Sequence, residues 1–167
     1  LSAGMFTQNR VKAAPVRVSQ SHLRAESLRA IITNSGNANA CTGPTGMQDA
    51  KNMAKETSKL LELRQREVGV CSTGVIGLPM PMIRIEPKYE ELVAGLGSKN
   101  GNDVARSIIT SDTHEKEFAI SFELHGKRVR IGGCAKGAGM INPNMATMLC
   151  FVTTDANIGK SCLKEAI

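Results

Sequence analysis

Strand and helix patterns alternate along this chain, and this alternation restricts its fold more than any other feature. Residues 28–33 and 68–72 are short apolar runs typical of buried strands, and residues 45–61 between them repeat apolar side chains at helical spacing. Apolar and polar residues alternate strictly over 118–124, and the alternation resumes at Val129 after a His-Gly turn, which predicts a hairpin. Interleaved strands and helices predict an α/β protein.

Glycine, asparagine and proline mark the segments between these elements. Residues 34–39, rich in asparagine, predict a loop after the first strand, and residues 73–77 predict a turn after the second. Gly132 and Gly133 lead into a predicted glycine-rich loop that begins at Lys136, and residues 145–152 then predict a largely buried strand. Further helices are predicted from Pro87, after Asn102 and around Ser161.

The composition suits one globular domain with an aliphatic core. Hydrophobic residues make up 41% of the 167, aromatic residues only 3%, and no apolar run approaches the roughly 20 residues that span a bilayer. The five cysteines have no CxxC spacing and the three histidines are scattered, so the sequence predicts no disulfide framework, structural zinc or other metal site. Reduced cysteines in a cytosol-like compartment are the expected state.

The net charge of +6, from 21 basic and 15 acidic residues, raises the question of a nucleic-acid partner. The basic residues are spread along the chain, and no aromatic side chains interleave with them to stack on bases. We therefore predict no nucleic-acid and no membrane partner. A solvated basic surface is the first interpretation, and mild attraction for small carboxylate substrates is the second.

The two ends of the sequence indicate a piece of a longer protein. Residues 1–10 lack the long apolar region of a signal peptide, and residues 165–167 lie inside what reads as a new helix. We therefore expect one incomplete domain over residues 1–167. Its expected location is the cytoplasm, or an organelle in a eukaryote.

The bond between Ala146 and Thr147 follows the glycine-rich loop and suggests a specific chemistry. An internal threonine is a weak nucleophile, but cutting this bond would give Thr147 an α-amino group with a pKa of roughly 7.7–8.0. That amine can take the proton from Oγ of the same residue. Ala146 crowds its own carbonyl little, and glycines at 137 and 139 permit a sharp turn nearby. The segment predicts self-cleavage and an N-terminal threonine nucleophile; taken alone, it also fits an ordinary core strand.

Other positions fit the needs of such a nucleophile. Thr73 and Gly74 follow a predicted strand and can offer hydrogen-bond donors to the oxyanion of a tetrahedral intermediate, with a structural turn as the alternative. Lys136 fits a carboxylate-binding residue or a surface lysine. Thr110 lies in a cluster of hydroxyl side chains with one acid, which by itself reads as a helix terminus. Residues 132–139 lack the spacings of phosphate and dinucleotide loops, so no cofactor is predicted.

Six motifs occur in one order along nearly the whole chain. They are NRVKAAP (9–15), NSGNANACTG (34–43), STGVIG (72–77), TSDT (110–113), KGAGM (136–140) and MATML (145–149), the last followed by TTD (153–155). Together they closely resemble the glutamate N-acetyltransferase/ornithine acetyltransferase family of arginine biosynthesis. Each motif alone is weakly specific, whereas six in register are very specific.

The resemblance implies a fold, a maturation step and a set of site residues. The fold would be a layered α-β-β-α sandwich with stacked sheets, shared with self-processing aminopeptidases. A precursor would be cut between Ala146 and Thr147, so that residues 1–146 belong to an α chain and residues 147–167 open a β chain. The two would stay together as an αβ heterodimer or its dimer. The implied nucleophile is Thr147, the implied oxyanion hole is Thr73 with Gly74, and the implied substrate contacts are Thr110, Lys136 and Thr147.

The implied reaction moves an acetyl group from N2-acetyl-L-ornithine to L-glutamate by a ping-pong route through an acetyl-threonine. Some members of the family also use acetyl-CoA as the donor, and the sequence does not decide whether this protein does. Two departures are visible. Ser111 stands where many relatives carry threonine, and residues 147–167 are a small part of the family's β chain, which supplies a substrate-binding glutamate and further polar contacts.

Two other functions fit the sequence as alternatives. A self-processing amide hydrolase or aminopeptidase of the same architecture would pass the acyl group to water, so its turnover would not depend on glutamate. A basic nucleic-acid-binding module would bind DNA or RNA in a salt-sensitive manner and would not cleave itself.

Overall fold

The structure is a computed structural model that describes residues 1–97, 99–139, 145 and 147–167. Its helices are α1 Ala14–Ala25, α2 Gly43–Leu60, α3 Met82–Ile85, α4 Tyr89–Ala94, α5 Gly101–Ser107 and α6 Lys160–Glu165. Its strands are β1 Ala30–Asn37, β2 Val68–Val75, β3 Lys116–Leu124, β4 Lys127–Lys136 and β5 Leu149–Thr154. The alternation of helices and strands confirms the predicted α/β class.

The apolar core lies between the parallel β1–β2 pair and helices α1 and α2. Val18 of α1, Ile32 of β1, Met53 of α2 and Val70 of β2 are all buried in it. Helix α2 carries the apolar stripe that the sequence predicted. Helix α1 was not predicted, although it begins with Pro15 in its first turn, a position that suits proline. None of the helices in the described ranges is both long and apolar enough to cross a membrane.

Helix α1 covers the edge of β2 that β1 does not pair. Ser19 Oγ donates to the carbonyl oxygen of Val70 at 2.7 Å and accepts from the N–H of Val70 at 2.8 Å. Nδ1 of His22 lies 2.8 Å from the carbonyl oxygen of Val68. These contacts satisfy backbone groups that an edge strand leaves unpaired. They also hold the helix beside the strand that carries Thr73.

Strand β1 extends through Asn37, where the sequence predicted a loop. Parallel pairing with β2 continues to the Gly36–Gly74 pair, because ladder hydrogen bonds override the low strand propensity of asparagine and glycine. The register then shifts, since Asn37 pairs with both Thr73 and Val75. This β-bulge places Thr73 and Gly74 inside the last part of β2, so the predicted turn at that point was wrong.

Strands β3, β4 and β5 form an antiparallel sheet in that order. The β3–β4 hairpin turns at His125 and Gly126, which have φ angles of 50° and 73°, as the sequence predicted. Strand β5 begins at Leu149, later than predicted. Met145 and Thr147 each have a φ of 68°, which an extended strand does not permit. The strand predicted over 145–152 was therefore wrong in its first half, and its largely buried state was wrong as well, because the residues of β5 are exposed or only partly buried.

One face of the β3–β5 sheet is apolar and exposed in this chain. Phe118 and Val152 are each 66% exposed, and Ile120, Phe122 and Leu124 are also exposed. The alternation in β3 correctly predicted a strand, but its half-buried state was wrong, because the described residues do not cover this face. The pattern marks a face suited to burial against a further layer.

Candidate active site

The ends of β2 and β4 and the segment before β5 meet at one open cleft of about 600 Å³. Its lining includes Thr73, Gly74, Thr110, Lys136 and Thr147. The structure thus brings together every described residue that the sequence analysis assigned to catalysis or substrate binding, although their roles stay predictions. Position 146, on the other side of the proposed cleavage point, lies outside the described residues.

Lys136 lies at the centre of this cluster. It is only 4% exposed, and its Nζ donates to Oγ1 of Thr73 at 3.0 Å, to Oγ1 of Thr110 at 3.0 Å and to the carbonyl oxygen of Thr147 at 3.3 Å. An ammonium group has three N–H donors, and these acceptors use all of them. Because burying an unpaired charge is costly, the threonine cluster is what allows Lys136 to lie here. It is a buried residue of the cleft and not a surface lysine.

Thr73 lines the cleft with a hydroxyl group that is polarised by Lys136. Thr73 is 7% exposed, and its oxygen accepts from the Lys136 ammonium. A hydroxyl group can accept and donate at once, so its own proton remains available. Accepting from a charged donor also polarises the O–H bond and strengthens the bond that it donates. Thr73 is therefore chemically suited to stabilise a negatively charged oxygen.

Gly74 occupies a backbone position that only glycine fits. Its φ is 133°, and a Cβ at this position would collide with backbone atoms of Gly36 and Asn37 on the neighbouring strand. The close approach belongs to the β-bulge that ends the parallel ladder. Gly74 thus allows β1 and β2 to approach each other closely at the cleft, and because it has no side chain, its backbone is not covered there.

Replacing Gly74 by alanine is expected to lower the free energy of unfolding by roughly 2–4 kcal/mol, because backbone strain and steric overlap add. Gly77→Ala is the matched control. Gly77 also has a positive φ, 85°, but nothing lies within 4 Å of its added Cβ. Strain alone should then cost roughly 1 kcal/mol. Urea unfolding of both variants checks the difference, and equal losses would contradict the steric argument.

Thr147 lies in a turn at the rim of the cleft. A positive φ at a β-branched residue is a genuine outlier, so the backbone on this side of the proposed cleavage point is strained. Met145, the described residue on the other side, shares the same φ of 68°. The Thr147 side chain is exposed and lines the cleft, while its carbonyl oxygen is held by Lys136. The nucleophile predicted from the sequence is thus accessible to a small substrate.

Asp112 is a site residue that the sequence analysis did not assign. Its side chain has no exposed surface, and its carboxylate accepts from the N–H of Gly137 at 2.8 Å and of Thr110 at 3.3 Å and pairs with Lys116 at 2.7 Å. Burial alone would raise the pKa of Asp112, but the hydrogen bonds from Lys116, Gly137 and Thr110 outweigh it and hold the pKa well below its usual range. In the sequence, the only indication of this role was that Asp112 is the single acidic residue of the TSDT motif (110–113).

The low pKa of Asp112 also has a consequence for stability. A carboxyl group whose pKa is depressed in the folded state stabilises the fold fully at pH values above its pKa in the unfolded chain. This contribution is lost progressively as the pH falls from that value through the pKa of the folded state. Asp112 is therefore a carboxylate at neutral pH.

Asn37 is the second residue whose place only the structure revealed. Its Nδ2 donates to the carbonyl oxygens of Leu78 and Pro79 at 3.2 and 3.0 Å, and its Oδ1 accepts from the N–H of Asn39 at 2.8 Å. The side chain thereby ties the segment after β1 to the segment after β2. The sequence showed an asparagine-rich motif, but not which amide bridges the two strands.

Cys71 precedes Thr73 on the same strand and is a second group to consider as a nucleophile. Burial raises the pKa of the Cys71 thiol to about 11, so it stays protonated and unreactive near neutral pH. Within the described ranges, no group of three or more His, Cys, Asp or Glu side chains is placed to hold a metal ion. The fold and cleft define an α/β protein whose candidate nucleophile is a hydroxyl rather than a thiol.

Comparison with known sequences places the chain among characterised relatives. The sequence model of the ArgJ family matches residues 1–167. The chain is 48% identical over 164 residues to the arginine biosynthesis bifunctional protein ArgJ of Caldanaerobacter subterraneus, covering 98% of this chain and 41% of that protein. It is 46% identical over 169 residues to the glutamate N-acetyltransferase of Methanothermobacter thermautotrophicus, covering 99% of this chain and 42% of that protein.

The chain belongs to the ArgJ family, which confirms the resemblance carried by its six motifs. It spans about two fifths of the length of these curated relatives.

Solved structures show the same architecture. The crystal structure of ArgJ from Bacillus halodurans superposes with a TM-score of 0.77 at 39% identity, covering 87% of this chain and 76% of that chain. The structure of ornithine acetyltransferase from Mycobacterium tuberculosis, complexed with ornithine, gives a TM-score of 0.73 at 37% identity, covering 87% of this chain and 77% of that chain. The fold expected from the family resemblance is therefore confirmed.

Proposed function

We propose that the full-length protein containing this chain is an acetyltransferase that moves an acetyl group from N2-acetyl-L-ornithine to L-glutamate. The observation that carries the proposal is the buried Lys136 ammonium that joins Thr73, Thr110 and Thr147 around one cleft. Relatives named glutamate N-acetyltransferase and ornithine acetyltransferase, the latter complexed with ornithine, support the two substrates. The reaction needs no resident cofactor, and acetyl-CoA is a further donor to test.

The nucleophile is generated by self-cleavage in this proposal. Oγ of Thr147 attacks the carbonyl carbon of Ala146, the C–N bond breaks, and the acyl group moves to oxygen as an ester. Water hydrolyses the ester, leaving the Ala146 carboxylate and a free Thr147 amine. The positive φ of Thr147 supports this step, because cleavage releases a backbone conformation unfavourable for threonine.

Two chains, 1–146 in one and 147–167 opening the other, follow from this cleavage. The chain covers 76% of the solved ArgJ chain but only 41% of a curated relative. A solved chain much shorter than the curated one is what a cut precursor produces, which supports the proposed division. In this division β5 belongs to the β chain and pairs with β4 of the α chain, so the antiparallel sheet itself joins the two chains, and the proposed assembly is an αβ heterodimer or its dimer.

Acetyl transfer then uses the amine as an internal base. The amine takes the Oγ proton, Oγ attacks the acetyl carbonyl of acetylornithine, and the ornithine amine leaves with that proton. The amine of glutamate attacks the resulting acetyl-threonine in the reverse sense. Thr73 and Gly74 supply the donors for the oxyanion of both tetrahedral intermediates.

Lys136 contributes position and charge in this scheme. It holds Thr147 by the carbonyl oxygen on the far side of the cleavage point, so the contact persists after the chain is cut. Its positive charge disfavours a second cation nearby, which lowers the pKa of the Thr147 amine and keeps that amine in its basic form. With Thr110 it also presents a polar wall for the carboxylates of the two substrates.

An assay that quantifies both products tests the proposal directly. Purified full-length protein is incubated with N2-acetyl-L-ornithine, with and without L-glutamate, and N-acetylglutamate and ornithine are quantified by mass spectrometry. Formation of the acetyl-threonine should release one ornithine per enzyme without glutamate. We expect any further ornithine release to require glutamate and to match N-acetylglutamate formation. Equal ornithine release in water alone would instead identify the hydrolase alternative, and no release in either condition would reject both.

A further inference from the structure

We propose that Asp112 is a positioning residue that sets the Lys136 ammonium against its threonine partners. The inference rests on the proposed function, because it assigns a role within the same cleft. Asp112 does not line that cleft; its carboxylate lies behind it with no exposed surface. It acts on the site through two backbone N–H groups.

The contacts around Asp112 form a closed circuit. Its Oδ1 accepts from the N–H of Gly137, and its Oδ2 accepts from the N–H of Thr110. Lys136, joined to Gly137 by one peptide bond, returns to Thr110 through Nζ and Oγ1 at 3.0 Å. Two segments, 110–112 and 136–137, are therefore held together by a carboxylate in one direction and by an ammonium in the other. A displacement that lengthens the hydrogen bond between Asp112 and Gly137 therefore also strains the hydrogen bond between Lys136 and Thr110.

The hydrogen bonds of Asp112 also fix the backbone turn at Gly137, which directly follows Lys136. Gly137 has a φ of 152°, a conformation open to glycine, and it directly follows the last residue of β4. The hydrogen bond from its N–H to Asp112 defines where the strand stops and the loop begins. Because Lys136 is the residue at that point, a shift of the turn is transmitted to its side chain.

A charged acceptor suits this place better than a neutral one. The carboxylate receives three donors, two backbone N–H groups and the Lys116 ammonium, and an ionised acceptor makes each bond roughly twice as strong. An asparagine of the same shape keeps a single acceptor oxygen and turns an NH2 group towards one of the donors. Asp112→Asn therefore breaks the circuit while preserving side-chain volume.

Asp155→Asn is the matched control for this substitution. Asp155 also accepts a backbone N–H, that of Arg130 at 2.7 Å, and pairs with the Arg130 guanidinium at 3.2 Å. These contacts lie towards the other end of β4, roughly 20 Å from Lys136 along the strand. A carboxylate with the same kind of partners is thus removed without touching the cleft.

The first readout is turnover of the mature full-length protein. We expect Asp112→Asn to reduce kcat/KM for acetyl transfer by 10- to 100-fold, as a displacement of about 1 Å in a catalytic group does, and Asp155→Asn to change it less than twofold. In a Lys136→Met background, Asp112→Asn should cost less than threefold, because it acts through the side chain already removed. Equal fold losses in both backgrounds would overturn the positioning role.

The second readout does not depend on activity. The full-length proteins are treated with acetic anhydride at limiting concentration, and acetylation of Lys136 is measured by peptide mapping. We expect slow labelling in the wild type, at least tenfold faster labelling in Asp112→Asn, and wild-type labelling in Asp155→Asn. A wild-type protein inactive on acetylornithine would reject the proposed function, while the labelling would still decide the role of Asp112.

A milder variant covers the case in which Asp112→Asn does not fold. Lys116 is 40% exposed in its side chain, and Lys116→Gln removes the charge partner of Asp112 but leaves both N–H bonds. We expect two- to fivefold faster labelling of Lys136 and a comparable loss of kcat/KM. Unchanged labelling and unchanged turnover in this variant, or in a folded Asp112→Asn protein, would overturn the proposal.

Discussion

Replacing Thr147 by alanine is expected to abolish both chain cleavage and acetyl transfer in the full-length protein. The substitution removes Oγ, the atom proposed to attack the preceding carbonyl during maturation and the acetyl carbonyl during turnover. Loss of a nucleophile typically costs roughly 10³-fold or more in kcat, since only binding and oxyanion stabilisation remain. Intact-mass measurement should show one uncut chain in Thr147→Ala and a cut after residue 146 in the wild type.

Two further variants sharpen this result. Thr147→Ser keeps an oxygen nucleophile and is expected to cleave and to turn over at a reduced rate. Thr153→Ala removes an exposed threonine of β5 whose hydroxyl donates to the carbonyl oxygen of Gly132, and it should behave as the wild type. A Thr147→Ala protein that still cleaved and transferred acetyl groups normally would reject both the maturation step and the nucleophile.

Replacing Lys136 by methionine is expected to have the second largest effect, a loss of roughly 10²- to 10³-fold in kcat/KM. Methionine keeps the length of the side chain but has no donors, so Thr73 loses the charged group that polarises its hydroxyl and Thr147 loses the contact that anchors its carbonyl. Lys59→Met is the control, because Lys59 is exposed and its ammonium pairs with Glu56, away from the cleft. Steady-state kinetics on the cleaved protein measure the loss.

The pH dependence of the same variants separates the charge of Lys136 from its positioning. In the proposed scheme the Lys136 cation disfavours protonation of the Thr147 amine, so its removal would make that amine easier to protonate. The acidic limb of the kcat/KM profile should therefore move to higher pH in Lys136→Met. Lys136→Arg retains a cation and should keep the limb near its wild-type position while losing rate. An unmoved limb in Lys136→Met would mean that the amine is not the base.

Local patterns in the sequence predicted much of the fold. The helical spacing of Met47, Ala50 and Met53 predicted α2, and strict alternation with a His-Gly turn predicted the β3–β4 hairpin, because both signals depend on neighbours a few residues away. The ends of β1 and β2 were harder to place. Asn37 and Gly74 have low strand propensity, and only pairing between two distant segments keeps them in the ladder.

The sequence by itself determined the family, the α/β class and the residues proposed for catalysis, because six motifs in register carry that information without coordinates. The tertiary structure decided how those residues meet. Lys136 reaches Thr73 across 63 positions of sequence and Thr110 across 26, and the acceptors of its three N–H groups could not be read from spacing. It also decided the place of Asp112, whose carboxylate is informative only once the backbone N–H groups around it are known. Periodicity reports which face of an element is apolar, whereas a site made of long-range hydrogen bonds exists only after the chain has closed on itself.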